Sequence, residues 1–265
     1  MDGAQPLLEK VDTLITETTR GLSARDPSRQ REAEIVNLLE ESRKALSRGG
    51  SVLIPVFALG RMQEMLVVMD EAIKRGAIPK VPVFCSGLGM DLVNHFHEIS
   101  KNTNRVRFNR RVLKSMGARP LPKRIDPGVK PPMNGIYLVS SGMMVENTPS
   151  YKLASGMLGD PKNSILFVGY CDPNTPGGKL LTAKKCDSVD LDAVDVVQKI
   201  NAKVTKFDLS GHANREELVS YAQKISPRAL ILHHGDPEAR EWFKETLKDE
   251  NFSIIDPEPL KTYDI

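Results

Sequence analysis

The chain has 265 residues, of which 40% are hydrophobic and 27% are charged, a balance typical of a folded globular protein and not of a disordered or fibrous one. Its 37 basic and 34 acidic residues leave a net charge of +3, so the total charge does not indicate a polyanion partner. The three cysteines form no CxxC pair, which does not favour a disulfide framework. No segment approaches the ~18 uninterrupted apolar residues of a membrane span, and no basic leader precedes an apolar run. We therefore expect a cytoplasmic protein with no membrane partner.

The first strongly periodic segment lies between Asp26 and Gly49. Asp26 stands where an N-cap is expected and Pro27 at the first helical position. One stripe of this segment carries apolar side chains: Ile35, Leu38, Leu39, Ala45 and Leu46. The pattern predicts an amphipathic helix.

Short runs rich in Val, Ile and Leu recur along the rest of the chain, and helical patterns follow several of them. They occupy residues 51–57, 81–87, 135–142, 164–170, 203–211 and 228–236. Such runs are typical of strands buried on both faces of a parallel sheet. The sequence therefore predicts an α/β fold, with an exposed proline-rich connection at 117–134.

Three histidines follow predicted strands at turns into helices: His212, His233 and His234. In open α/β sheets, ligands bind outside the carboxyl ends of the strands. Strand alternation should send the rings of the adjacent pair to opposite sides, so that one of the two faces a site. The alternative is that each histidine only hydrogen-bonds a loop carbonyl, and two histidines alone make an incomplete zinc site.

Other polar groups follow predicted strands as well. Glu17 ends a short β-branched run and could orient a histidine, although an exposed turn glutamate is the commoner explanation. The hydroxyls and backbone of Ser140, Ser141 and Gly142 suit a phosphate, and a plain tight turn fits them equally. Arg61 opens a helix, where an anion is favoured, or it is a surface arginine in a salt bridge.

Two further features bear on nucleic acid. Ser210 places a hydroxyl beside His212. The segment 105–114 has five cationic residues around Phe108, a pattern that suits a single strand through phosphate contacts and stacking. A solvated helix face is the commoner outcome for such a run.

Together these segments resemble one family. Six of them stand in the order found in beta-CASP proteins of the metallo-beta-lactamase superfamily: LITETTRG, GGSVLIPVFALGRMQE, SSGMM, GYCDPNTPGG, FDLSGHAN and ILHHGD. The resemblance runs from about residue 11 to about residue 240 and is to RNA-processing members such as the cleavage and polyadenylation specificity factor endonuclease. It implies a parallel-sheet beta-CASP domain at 22–190, inserted into a partial metallo-beta-lactamase fold (an αββα half) at 1–21 and 191–265.

The resemblance also implies roles for single residues. His234 matches a zinc ligand, and His212, oriented by Glu17, matches a general acid near the scissile phosphate. Arg61, Ser140, Ser141, Gly142 and Ser210 become candidates for phosphate or RNA binding. The complete enzyme is expected to hold two zinc ions and to cleave RNA, most naturally single-stranded.

The sequence departs from the family pattern at one important place, since it contains no HxHxDH motif, which supplies most of the metal ligands. We therefore expect the C-terminal part of a zinc-dependent ribonuclease that is inactive by itself. The expected assembly is a homodimer, or a complex with a partner chain that supplies the missing half. The alternative is a non-catalytic RNA-binding or assembly module. A metallo-hydrolase of small molecules is a third reading, which a beta-CASP insertion disfavours.

Overall fold

The structure is a computed structural model that describes residues 9–24, 26, 30–103, 107–122, 124–189 and 198–265. Its strands are β1 (Thr13–Glu17), β2 (Val52–Pro55), β3 (Val83–Cys85), β4 (Arg119–Pro120), β5 (Ile136–Val139), β6 (Ser164–Phe167), β7 (Ser188–Val189), β8 (Gln198–Lys199), β9 (Lys203–Lys206), β10 (Ala229–His233) and β11 (Ser253–Ile255). Its helices are α1 (Arg31–Ser47), α2 (Arg61–Lys74), α3 (Gly87–Thr103), α4 (Arg111–Met116), α5 (Pro149–Met157), α6 (Pro176–Thr182), α7 (Arg215–Ile225) and α8 (Pro237–Leu247). The α/β prediction is confirmed.

The chain forms two compact units. The larger unit is Gln30–Leu209, and the smaller one combines the described residues between 9 and 26 with Ser210–Ile265. These limits are defined by contacts within the structure. They differ from the domain boundaries expected from the sequence, which lie between residues 21 and 22 and between residues 190 and 191. The latter boundaries concern the family's inserted domain and stay a prediction.

The larger unit is built on a six-stranded sheet in the order β4-β3-β5-β2-β6-β9, in which every neighbouring pair is parallel. Alternate strand residues face opposite sides, as Val52 and Leu53 show by joining different apolar clusters. Helices α1 to α4 contribute to the first cluster, and α5 and α6 to the second. Burial on both faces explains why the strands read as continuous apolar runs. A short antiparallel pair, β7 with β8, completes the described strands of this unit.

The smaller unit has a three-stranded parallel sheet in the order β1-β10-β11. Leu230 and Leu232 of the central strand pack with Phe243 and Leu247 of α8 in one buried cluster. In the register of β1 and β10, Glu17 lies opposite His233, at the carboxyl ends of both strands. This alignment brings the turn after β1 next to the turn after β10.

Helix α1 differs from its prediction at the N-terminus. It begins at Arg31, with Gln30 in the cap position, so Asp26 is not its N-cap; Pro27 lies outside the described residues. The first turn is anchored by a distant contact, because the buried carboxylate of Glu34 accepts the backbone N–H of Asp208. Leu38 and Ala45, both on the predicted stripe, are fully buried. Among the described residues, no helix is long and apolar enough to cross a bilayer.

Candidate active site

Three polar side chains converge at the carboxyl ends of β1 and β10. Glu17, His212 and His234 each offer one donor atom, and these atoms lie within 4.8 Å of one another. All three belong to the smaller unit. Parallel neighbouring strands end at the same edge, and their turns can therefore bring side chains far apart in sequence to one place.

Glu17 and His212 form a direct pair. Oε2 of Glu17 is 2.7 Å from Nδ1 of His212, and Oε1 accepts the backbone N–H of Ala213 at 3.3 Å. An ionised carboxylate only accepts hydrogen bonds, so Nδ1 of the ring is the donor. The carboxylate therefore fixes the ring orientation and leaves Nε2 outside this contact. The side chains are 26% exposed for Glu17 and 41% for His212, which leaves the pair open to a ligand.

His234 lies just beyond β10 and has left strand geometry, with φ of 51°. The turn of β1 holds it there, because its carbonyl accepts the backbone N–H of Thr18 at 3.4 Å. A Cβ at position 235 would lie 2.2 Å from Oγ1 of Thr18, so glycine is required for this close approach. Simple alternation between His233 and His234, as expected from sequence, does not apply because only His233 belongs to the strand. Their ring planes meet at 56°.

The imidazole rings of His212 and His234 lie against each other. The rings of His212 and His234 are stacked, with centroids 5.4 Å apart and planes at 20°. Both rings are exposed. The arrangement places an acid–base pair beside a second imidazole, a combination that suits proton transfer next to a metal or an anion.

Zinc, which the family resemblance implies, can be tested against these donors. Two ligands of one tetrahedral zinc ion lie about 3.4 Å apart, since each lies about 2.0–2.2 Å from the metal. The 2.7 Å separation of Glu17 Oε2 from His212 Nδ1 is instead that of a hydrogen bond. His234 is the imidazole left outside this pair. The described residues therefore fit one ligand of a zinc site and do not complete one.

Thr19 also belongs to the site and was missed by sequence reasoning. Its Oγ1 lies 2.9 Å from Nδ1 of His234 and 3.4 Å from Nδ1 of His212. Ser210 is close in sequence to the pair, and its hydroxyl accepts the backbone N–H of His212 at 3.1 Å. It thus supports the turn that carries this histidine.

The other candidates for phosphate binding lie in the larger unit. The side chain of Arg61 is only 13% exposed and forms an ion pair with Glu64, which is also paired with Arg31. Burial, and secondarily the charge of Arg31, lowers the pKa of the Arg61 guanidinium to about 10. The internal ion pair competes with a phosphate for this side chain. A phosphate role for Arg61 stays a prediction.

The Ser140–Gly142 turn follows β5 and uses its polar groups internally. The hydroxyl of Ser140 contacts that of Ser86 at 3.2 Å, and Oγ of Ser141 accepts the backbone N–H of Val145 at 3.0 Å. Gly142 is buried against Phe57, so close that a Cβ would lie 3.0 Å from the ring. These contacts give the turn a structural use, and its phosphate role is likewise still a prediction.

The basic segment 105–114 is described from residue 107 onward; Arg105 lies outside the described residues. Phe108 is only 6% exposed and packs edge-on against Phe96, with ring centroids 5.9 Å apart. The proposal that Phe108 stacks on a base is therefore wrong. The cations around it remain on the surface: Arg107, Arg110, Arg111 and Lys114.

Two family models match the sequence. A model described as the Beta-Casp domain matches residues 62–180, and a model described as the Zn-dependent metallo-hydrolase RNA specificity domain matches residues 197–256. The second match contains His212 and His234.

Curated relatives match most of the chain. Transcription termination factor FttA of Pyrococcus horikoshii is 31% identical over 255 residues, which cover 90% of this chain and 38% of the relative. Integrator complex subunit 11 of Gallus gallus is 26% identical and covers 90% of this chain and 39% of its own length. The RNase J-like protein of Methanocaldococcus jannaschii is 30% identical, and the match covers 86% of this chain and 53% of the relative. The chain thus spans about half or less of the length of these relatives.

Proposed function

Because this chain belongs to the beta-CASP family of metallo-beta-lactamase RNA-processing nucleases, we propose that it is the C-terminal part of a zinc-dependent ribonuclease. The observation that carries the proposal is the convergence of Glu17, His212 and His234 at one sheet edge, inside the unit that the RNA specificity model matches. The reaction is hydrolysis of an RNA phosphodiester.

Each of the three residues has a separate role in this proposal. His212 donates a proton to the leaving oxygen, and Glu17 holds the ring and stabilises its charged form. His234 is a zinc ligand. A bound zinc ion would supply Lewis-acid activation of water and of the phosphoryl group. Proton donation matters because an alkoxide is a poor leaving group until it is protonated.

The remaining ligands belong to a segment that this chain does not carry. The incomplete donor set and the partial coverage of the relatives support this proposal. The chain would supply residues 1–21 and 191–265 of the metallo-beta-lactamase fold and the inserted domain at 22–190. A partner chain is then needed wherever the missing half is not covalently attached. We call the chain together with that half the completed enzyme.

The completed enzyme should cleave a labelled single-stranded RNA, and a zinc chelator should abolish the cleavage. The chain alone should cleave no RNA above background, because His234 is the one imidazole outside the Glu17–His212 pair in the cluster that the described residues form. Gel analysis of both preparations, with and without the chelator, provides the test. Chelator-resistant cleavage by the completed enzyme would contradict a zinc mechanism.

A second candidate is a non-catalytic RNA-binding module, favoured by the same incomplete donor set. The two proposals share the RNA partner and differ in chemistry. A completed enzyme that binds RNA but neither holds zinc nor cleaves would support the binding module. The match to a model described as an RNA specificity domain disfavours a metallo-hydrolase of small molecules.

RNA binding should depend on the exposed cations of the basic segment, with Arg61, Ser140, Ser141, Gly142 and Ser210 proposed as further phosphate contacts. Each phosphate contact to a single strand adds about 0.7 to the slope of log K against log salt. A variant with glutamine at four positions should therefore lose up to about 3 of that slope. The positions are Arg107, Arg110, Arg111 and Lys114.

Fluorescence titration of a labelled oligonucleotide over a range of salt concentrations measures this slope. A matched control removes the same number of exposed cations elsewhere in the larger unit and should keep the slope: Arg43, Lys44, Arg75 and Lys80. Equal slopes for the two variants would mean that the basic segment makes no specific contribution.

A further inference from the structure

The hydroxyl of Thr19 is the contact that both site histidines share. Oγ1 lies 2.9 Å from Nδ1 of His234, 2.9 Å from the carbonyl oxygen of the same residue and 3.4 Å from Nδ1 of His212. Thr19 is separated from His234 by 215 positions in the sequence. One hydroxyl thus joins the turn after β1 to the rings on both of the other turns.

The direction of these hydrogen bonds follows from donor counting. A hydroxyl has one proton to donate and two lone pairs with which to accept. A carbonyl oxygen only accepts, so the proton of Thr19 goes to the backbone oxygen of His234. Nδ1 of His234 must then carry a hydrogen and donate it to Oγ1. The other ring nitrogen, Nε2, is left with a free lone pair.

The same reasoning gives a matching result for His212. Its Nδ1 donates to Glu17 at 2.7 Å, and the longer contact with Thr19 is secondary. The two rings are stacked with planes at 20°. Nδ1 of His212 is held by the last residue of β1, and Nδ1 of His234 by the turn that follows β1. Both Nε2 atoms are therefore the nitrogens left to face a ligand.

We propose that Thr19 is a positioning residue that holds neutral His234 in the Nδ1–H tautomer, so that Nε2 is the nitrogen offered as a donor. Neutral imidazole in water favours the opposite tautomer, and a hydrogen bond at the other nitrogen decides which form is present. The use of this Nε2 as a zinc donor rests on the proposed function. The tautomer itself does not.

Proton–nitrogen NMR of the ring nitrogens tests the proposal on the chain as it exists, without metal. The spectrum shows directly which of the two ring nitrogens carries the hydrogen. His234, assigned through the loss of its signals in His234→Ala, should show a protonated Nδ1. A protonated Nε2 in the unmodified chain would overturn the proposal without any further variant.

Substitutions at position 19 add a second readout. Thr19→Val keeps the shape and removes the hydroxyl, and it should shift His234 towards the Nε2–H form; Thr19→Ser should restore the original tautomer. Thr18→Val is the matched control, because that hydroxyl donates to the carbonyl of His233 and contacts no ring. An unchanged His234 spectrum in folded Thr19→Val would also overturn the proposal.

Zinc affinity separates this proposal from the proposed function. In the completed enzyme, Thr19→Val should weaken zinc binding about 10- to 100-fold, the usual effect of losing a hydrogen bond to a ligand histidine. Thr19→Ser should bind zinc within a few-fold of the unmodified enzyme. If the tautomer is as proposed but the completed enzyme holds no zinc, the proposed function fails and the positioning role of Thr19 stands.

Discussion

Replacing His212 with alanine in the completed enzyme should slow RNA cleavage by about 10²- to 10⁴-fold, the usual contribution of a general acid. Zinc content should stay the same. The reason is that a proton donor acts only as the leaving oxygen gains charge, whereas a ligand holds the ion at all times. The 2.7 Å contact with Glu17 is a hydrogen-bond distance, and it supports the proposed acid–base pair.

Glu17→Gln should resemble His212→Ala in kind, because its amide cannot stabilise a positively charged ring as the carboxylate does. His233→Ala is the matched control, since His233 is an exposed histidine next to the site that lacks a proposed role. The His233→Ala enzyme should keep both its RNA cleavage rate and its zinc content. Loss of zinc in His212→Ala would place His212 among the ligands, and an unchanged rate would make it structural.

Replacing His234 with alanine should have the larger effect, with loss of bound zinc and of all measurable cleavage. A catalytic zinc generally has three protein ligands, and the removal of one leaves too few donors to retain the ion at ordinary concentrations. Metal analysis after dialysis and single-turnover cleavage should be measured on the same preparations. Full zinc occupancy in His234→Ala would contradict its assignment as a ligand.

A related prediction concerns zinc binding by the chain alone, without the missing half. The chain should bind zinc weakly, because the cluster of Glu17, His212 and His234 provides one imidazole outside the Glu17–His212 pair. Tightly held zinc in the chain alone, together with cleavage, would require ligands other than those identified and would contradict the proposal of a missing half.

Much of the fold could be predicted because its strands are buried on both faces. Runs such as 52–55 and 136–139 are entirely buried, and a continuous apolar run is the signal that such burial leaves in a sequence. The start of α1 could not be found this way. It depends on the contact between Glu34 and Asp208, which are 174 positions apart.

The site was predicted in part. The signatures around Glu17, His212 and His234 identified three residues that the structure brings together. Thr19 was missed because nothing local distinguishes its hydroxyl from that of any turn threonine, and its partner lies 215 positions away. Such long-range contacts leave no local pattern.

The error at Phe108 has a local explanation. Phe108, Val112 and Met116 recur every four residues and are all buried, a helical spacing that indicates a core-facing stripe. The five cations around Phe108 instead indicated nucleic-acid binding, with Phe108 stacking on a base. In a basic segment, apolar residues that recur at helical spacing are expected to face the core, and they are then not available to stack on a base.

The proposed roles are tested most directly by single-turnover cleavage of an RNA in which sulfur replaces the leaving oxygen at the cut bond. A thiol ionises near pH 8.5, far below an alcohol, so a sulfur leaving group needs little help from a proton donor. His212→Ala should then be about 10²- to 10⁴-fold slower than the unmodified completed enzyme on normal RNA and within about tenfold on the sulfur RNA. A defect of equal size on both substrates would contradict the assignment of His212 as the general acid.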